Sequence, residues 1–181
     1  GMACVFLEIG QDVHIEGNLK NAVDEGVRQG YTEGFLRKSC VKDPFDRVNT
    51  KDNTPAVLYT ELVDGDELKI TVAPKGFGSE NMSKVFMLKP ADGEEGVKQA
   101  ILNAVLDAGP NACPPIVVGV GVGGTFEKCA LMAKEALTRD VAVRSSVPYV
   151  REMEEELLDN INRSGIGPGG LGGSATALAV N

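Results

Sequence analysis

Apolar and polar positions along the chain fall into two periods. Short apolar or alternating runs at residues 3–9, 56–63, 68–73, 116–122 and 174–180 predict strands. A period of 3.6 predicts four helices. Residues 18–31 set Leu19, Val23, Val27 and Tyr31 on one stripe, with Asn18 placed to cap. Residues 93–108 set Val97, Ala100, Ile101, Ala104, Val105 and Ala108 on one face, with Asp92 and Glu95 at capping-box spacing. Residues 125–138 carry Phe126, Cys129, Ala130, Ala133 and Leu137 behind Thr125 as the cap. Residues 148–163 carry Tyr149, Met153, Leu157 and Ile161, entered through Pro148 and stopped before Gly165. In that last helix Glu152, Glu154, Glu155 and Glu156 read as a solvated face. Asp64-Gly65-Asp66-Glu67 lies between two β-rich runs and predicts a hairpin. The fold class that follows is α/β (α+β): a mixed sheet of about five strands with about four helices packed on it, as one domain over residues 1–181. Both ends fall in strand-like segments, whereas termini ordinarily lie in loosely held ones. The expectation is therefore a piece of a longer protein.

Composition narrows the function classes. Eighteen Lys and Arg against 26 Asp and Glu leave a net charge of −8. A duplex-binding surface needs the opposite surplus to displace counterions, so no nucleic-acid partner is expected. No apolar run reaches the ~18–20 residues of a membrane helix, and no signal-peptide pattern opens the chain. Cysteines at 4, 40, 113 and 129 show no paired spacing, which reads as a reduced, cytoplasmic protein. A single histidine, His14, excludes a zinc site built on two or three His, and no nucleophile motif surrounds it. The 22 glycines cluster, which points to close backbone approach.

Four segments could carry chemistry. Gly119-Val120-Gly121-Val122-Gly123-Gly124 matches GxGxxG between a strand and a helix, with Asp140 about 20 residues on. It supports either a nucleotide-binding module or a glycine-rich strand packed closely on a helix. Cys113, in Ala112-Cys113-Pro114-Pro115, stands in a rigid turn outside any periodic face, unlike Cys4 and Cys129. That favours a ligand or nucleophile over core filler. Lys75 to Lys84 gathers Gly76, Gly78, Ser79, Glu80, Asn81 and Lys84 after a strand. Such a loop suits a carboxylate or phosphate, or is simply solvated. Gly165 to Gly173 interleaves Ile166 and Leu171, which argues against a free linker. Asp52-Asn53-Thr54-Pro55 reads as a turn whose side chains cap backbone groups. Arg37 is either a surface charge or a fork for a carboxylate.

Taken in order, Val5 to His14, Asp52 to Ala56, Lys75 to Asn81, Cys113-Pro114-Pro115, Gly119 to Thr125 and Gly165 to Gly173 resemble one family. It is that of the class I fumarate hydratases and the L(+)-tartrate dehydratase alpha subunits, the iron–sulfur hydro-lyases. The resemblance runs nearly the whole chain. It implies reversible hydration and dehydration of a 2-hydroxy dicarboxylate on a 4Fe–4S cluster held by three cysteines. Cys113 matches the middle ligand. The first ligand, in a Cys-Gln-Asp-Thr-Gly motif ending at Gly1, and the third, beyond Asn181, fall outside residues 1–181. By the same resemblance Arg37, Gly76, Gly78, Ser79, Glu80, Asn81 and Lys84 match substrate-carboxylate contacts. It further implies a beta subunit or C-terminal domain as partner and a dimer of the full enzyme. The chain alone is then expected to be inactive and without its cluster.

Overall fold

A computed structural model describes residues 1–181, in two compact units, Gly1–Phe77 and Gly78–Asn181. The mixed helix and strand content agrees with the expected class. The five strands, however, form two sheets and not one.

In the first unit strand β1 (Met2–Gly10) is central, between β2 (Val57–Val63) and β3 (Leu68–Lys75). It pairs in parallel with β2, Val5 opposite Leu58, and antiparallel with β3, Val5 opposite Val72. The expected β2–β3 hairpin therefore does not form. The reason is the apolar character of β1 on both faces: Ala3 to Leu7 are all buried, which an edge position would not allow. The Asp64–Glu67 segment instead crosses the end of β1. There the Gly10 N–H donates to the Glu67 carbonyl at 2.8 Å and the Asp12 N–H to Gly65 at 2.9 Å. Gly10 permits the crossing, since a Cβ there would stand 2.3 Å from the Gly65 oxygen. Helix α1 (Leu19–Glu33) links the parallel strands and buries Val27 and Tyr31 on Ala3, Val5 and Leu7. Its first turn is capped as expected: the Asn18 side chain accepts from Asn21 N–H at 2.9 Å.

The four-residue helix α2 (Phe77–Glu80) starts on the last residue of the first unit; the second unit then contains α3 (Gly93–Ala108), β4 (Val117–Val118), α4 (Phe126–Ala136), α5 (Pro148–Arg163) and β5 (Ala179–Val180). Strands β4 and β5 pair in parallel. Their ladder is only two residues long, against the seven predicted for each, because glycines and irregular turns follow Val118 and precede Ala179. Val105 of α3 and Leu157 and Ile161 of α5 close the core with Ala177 and Val180. Two caps differ from expectation. Asp92 accepts from Lys89 N–H at 2.7 Å and makes no bond to the α3 N-terminus. Thr125 donates its hydroxyl to Glu127 at 2.7 Å and makes no side-chain cap bond.

The acidic face of α5 is also not uniformly solvated. Glu154 is buried, bonded to Arg139 Nη2 at 2.5 Å and accepting from Ser145 N–H at 3.0 Å. It shares the inward stripe with Leu157 and Ile161, three and seven residues on. No helix is long and apolar enough to cross a membrane.

Candidate functional site

The second unit brings two of the glycine-bearing segments against one turn. Helix α3 ends at Ala108 and passes into a single 3-10 turn, Gly109–Asn111, opened by Pro110. Ala112 is buried and anchors the turn; Cys113 follows, exposed, with Pro114 and Pro115 fixing the exit. Gly78 lies against this turn. A Cβ on Gly78 would stand 2.9 Å from Cys113 Sγ and 3.5 Å from the Asn111 carbonyl oxygen. Gly170 rests on the same turn from another side, where a Cβ would meet Pro110 Cβ at 2.6 Å. The loop 165–173 is accordingly no free linker. Its backbone holds it: Gly172 N–H donates to Ile166 at 2.8 Å and Gly167 N–H to the Thr176 hydroxyl at 3.1 Å. The Leu171 N–H adds a bond to the Pro168 carbonyl at 3.2 Å, while its side chain is 91% exposed.

The remaining members of the Gly76–Lys84 segment are placed by ion pairs. Glu80 is joined to Lys134 of α4, and Lys84 Nζ lies 2.6 Å from Asp107 of α3. Both partners are new to the site. Neither has a local signal, since Glu80 and Lys134 are 54 residues apart. Ser79 and Glu80 carbonyls accept from Met82 and Ser83 N–H, which closes the segment after α2, and Asn81 is exposed. In the first unit Gly76 is exposed at the end of β3, and its carbonyl accepts from Lys75 Nζ at 3.1 Å. Arg37 is exposed beyond the end of α1.

Asp52-Asn53-Thr54 is the capping turn that was expected. Asp52 accepts from both the N–H and the hydroxyl of Thr54, at 3.0 and 2.8 Å. Those bonds hold its carboxyl below the usual range, the backbone bond foremost. Asn53 is fully buried, and its amide oxygen accepts from two consecutive N–H groups, Ser39 at 2.7 Å and Cys40 at 2.8 Å.

The glycines 119–124 divide by role. A Cβ on Gly119 would meet the Ala133 carbonyl oxygen at 2.1 Å, and one on Gly121 the Cys129 carbonyl oxygen at 2.1 Å. Both let the segment after β4 lie directly on α4, so the side available for a phosphate is already filled by helix. The nucleotide-binding alternative finds no support.

Of the four cysteines, Cys4 and Cys40 are buried, and the Cys129 thiol donates to the Gly121 carbonyl at 3.0 Å. Only Cys113 is exposed. No group of three or more His, Cys, Asp or Glu is arranged to hold a metal ion.

A family model described as Fumarate hydratase (Fumerase) matches residues 1–181. The chain is 42% identical over 188 residues to the "Putative L(+)-tartrate dehydratase subunit alpha" of Methanocaldococcus jannaschii, covering 99% of this chain and 65% of that protein. It is 32% identical over 185 residues to the L(+)-tartrate dehydratase subunit alpha of Escherichia coli strain UTI89, covering 100% of this chain and 61% of that one. The chain thus spans 61–65% of the length of these curated relatives.

Proposed function

Because the chain belongs to the fumarate hydratase (Fumerase) family, we propose that it is the alpha, N-terminal part of a hydro-lyase acting on a 2-hydroxy dicarboxylate. The reaction is reversible loss of water, from malate to fumarate or from tartrate to oxaloacetate. The observation that carries this is Cys113, the one exposed thiol, in a proline-fixed turn packed on Gly78.

The residues present fit one ligand of an iron–sulfur cluster and no more. Two cysteines are buried, and a third spends its thiol on a carbonyl. A 4Fe–4S cluster would take one thiolate from Cys113 and its other thiolates from outside residues 1–181. When bound, such a cluster supplies an open iron that acts as a Lewis acid on the C–O bond.

Carboxylate contacts are assigned to each unit by itself, Arg37 and Gly76 in the first and Gly78 to Lys84 in the second. The Arg37 guanidinium offers two parallel N–H donors in a fork that matches a carboxylate. The backbone N–H groups of Gly76 to Asn81 add neutral donors, with Ser79 and Asn81 beside them. Lys84 contributes positive potential, lessened by its pairing to Asp107. Glu80, ion-paired to Lys134, orders this segment on α4. Such local donors let a chain of net charge −8 bind a dianion. As the C–H bond breaks beside a carboxylate, negative charge moves onto that carboxylate, and fixed donors stabilise it.

A beta subunit or C-terminal domain completes the enzyme, which we place in the cytoplasm as a dimer. The relatives are named as alpha subunits, which supports a partner subunit. The test is turnover by the full-length protein with its partner on malate, fumarate and L(+)-tartrate. One pair should be interconverted, with Arg37→Ala raising KM about tenfold or more. No turnover of any of the three would overturn the proposal. Anaerobic reconstitution of residues 1–181 alone should yield no stoichiometric 4Fe–4S absorbance.

A further inference from the structure

We propose that Asn53 is a positioning residue for Arg37, an inference that rests on Arg37 being a carboxylate contact. Asn53 is fully buried, yet its side chain makes three hydrogen bonds. Its Oδ1 accepts from Ser39 N–H at 2.7 Å and Cys40 N–H at 2.8 Å, and its Nδ2 donates to the Gly1 carbonyl at 3.2 Å. Its φ of +64° lies in the left-handed region, which asparagine tolerates better than other residues with a side chain. One side chain therefore ties the start of β1 to the backbone two residues beyond Arg37.

Arg37 is held on both sides. Before it, Leu36 N–H donates to the Tyr31 carbonyl at the end of α1, 3.0 Å away. After it, the Lys38 carbonyl accepts from Asn49 Nδ2 at 3.0 Å, and Ser39 N–H is taken by Asn53. The guanidinium itself makes no hydrogen bond or ion pair within the chain and is exposed. A backbone fixed by two asparagine side chains beneath an uncommitted, flexible cation is a means of lowering the ordering cost of binding an anion.

The experiment is a double-mutant cycle on the full-length enzyme with its partner. Its readout is kcat and KM for whichever dicarboxylate is turned over, with melting temperature as the check on folding. Asn53→Ala should raise KM about tenfold with kcat changed less than about threefold. In the Arg37→Ala background the same substitution should change KM less than about twofold, because the group it positions is gone. Asn53→Asp keeps an oxygen for both N–H donors and should hold KM within about threefold of wild type. Equal KM factors in the two backgrounds, or no KM change from Asn53→Ala, would overturn the inference while leaving Arg37 as a contact. No KM change from Arg37→Ala would overturn both. If Asn53→Ala yields no folded protein, the cycle with Asn49→Ala decides. A KM rise of about threefold that vanishes with Arg37→Ala supports the inference, and any other result overturns it.

Discussion

Replacing Gly78 by alanine should separate the stability of the Cys113 turn from its function. A Cβ at this position would sit 2.9 Å from Cys113 Sγ and 3.5 Å from the Asn111 carbonyl oxygen. Unstrained non-bonded contact needs about 3.5–4.0 Å, so the thiol must retreat by about 0.6–1 Å or change rotamer. Sγ ends a side chain with a single torsion, so the clash is relieved by moving the sulfur and not by unfolding the turn. Alanine is also the better helix former, by up to about 1 kcal/mol, and Gly78 lies inside α2. The expected change in global stability is thus within about 1 kcal/mol of zero. Function should respond quite differently, since displacing a reactive group by about 1 Å can cost up to about 100-fold in rate. The assay pairs melting of the full-length enzyme with its turnover and with the alkylation rate of Cys113, the one exposed thiol here. A Gly78→Ala enzyme with turnover and alkylation rate within about twofold of wild type would refute the reasoning.

Four further outcomes follow from particular positions. Glu154→Ala removes one partner of a pair whose side chains are 5% and 29% exposed, and should lower unfolding free energy by about 3 kcal/mol in urea titrations. The neighbouring Glu155→Ala should stay within about 0.5 kcal/mol of wild type. Asp52 has its folded-state pKa below the ordinary 3.8 because Thr54 donates to it. It stabilises the fold above that value and ceases to do so as pH falls through the depressed folded pKa. The urea midpoint should therefore drop on acidification below pH 3.8, and less so in Asp52→Asn. Gly121→Ala would drive a Cβ to 2.1 Å from the Cys129 carbonyl oxygen and should cost about 3 kcal/mol or more. Gly26→Ala on α1, with open space at its Cβ, should raise stability by about 0.5–1 kcal/mol, both read from thermal melts.

The helices were legible because their apolar residues recur at helical spacing, although α4 buries none of its stripe fully. Leu157 and Ile161 mark the inward face of α5 from spacing alone. Glu154 lies on that same stripe, and only its charge concealed it; the 154, 157, 161 spacing was the available signal. The hairpin expectation failed for a related reason. Asp64-Gly65 is a local turn signal, but strand order is decided by which strand must be covered on both sides. The structure shows that strand to be β1, where Ala3 to Leu7 are five consecutive buried residues. The exposure of Cys113 was legible because a cysteine before two prolines has no periodic face to fill. Gly78 could be read only as part of a loop, since its contact lies across the fold. The Glu80–Lys134 and Lys84–Asp107 pairs were not legible, because charges on distant elements carry no mark of their partners. Gly119 and Gly121 fitted two readings by sequence, and the helix backbone beside them decides for packing.

The most direct test of the account replaces each cysteine by serine in the full-length protein with its partner, followed by anaerobic iron–sulfide reconstitution. Cluster content and turnover are then measured on the same samples. The account predicts that Cys113→Ser loses the 4Fe–4S signal and the activity together, while Cys4→Ser, Cys40→Ser and Cys129→Ser, where folded, keep both. A Cys113→Ser enzyme with a full cluster and undiminished turnover would contradict it.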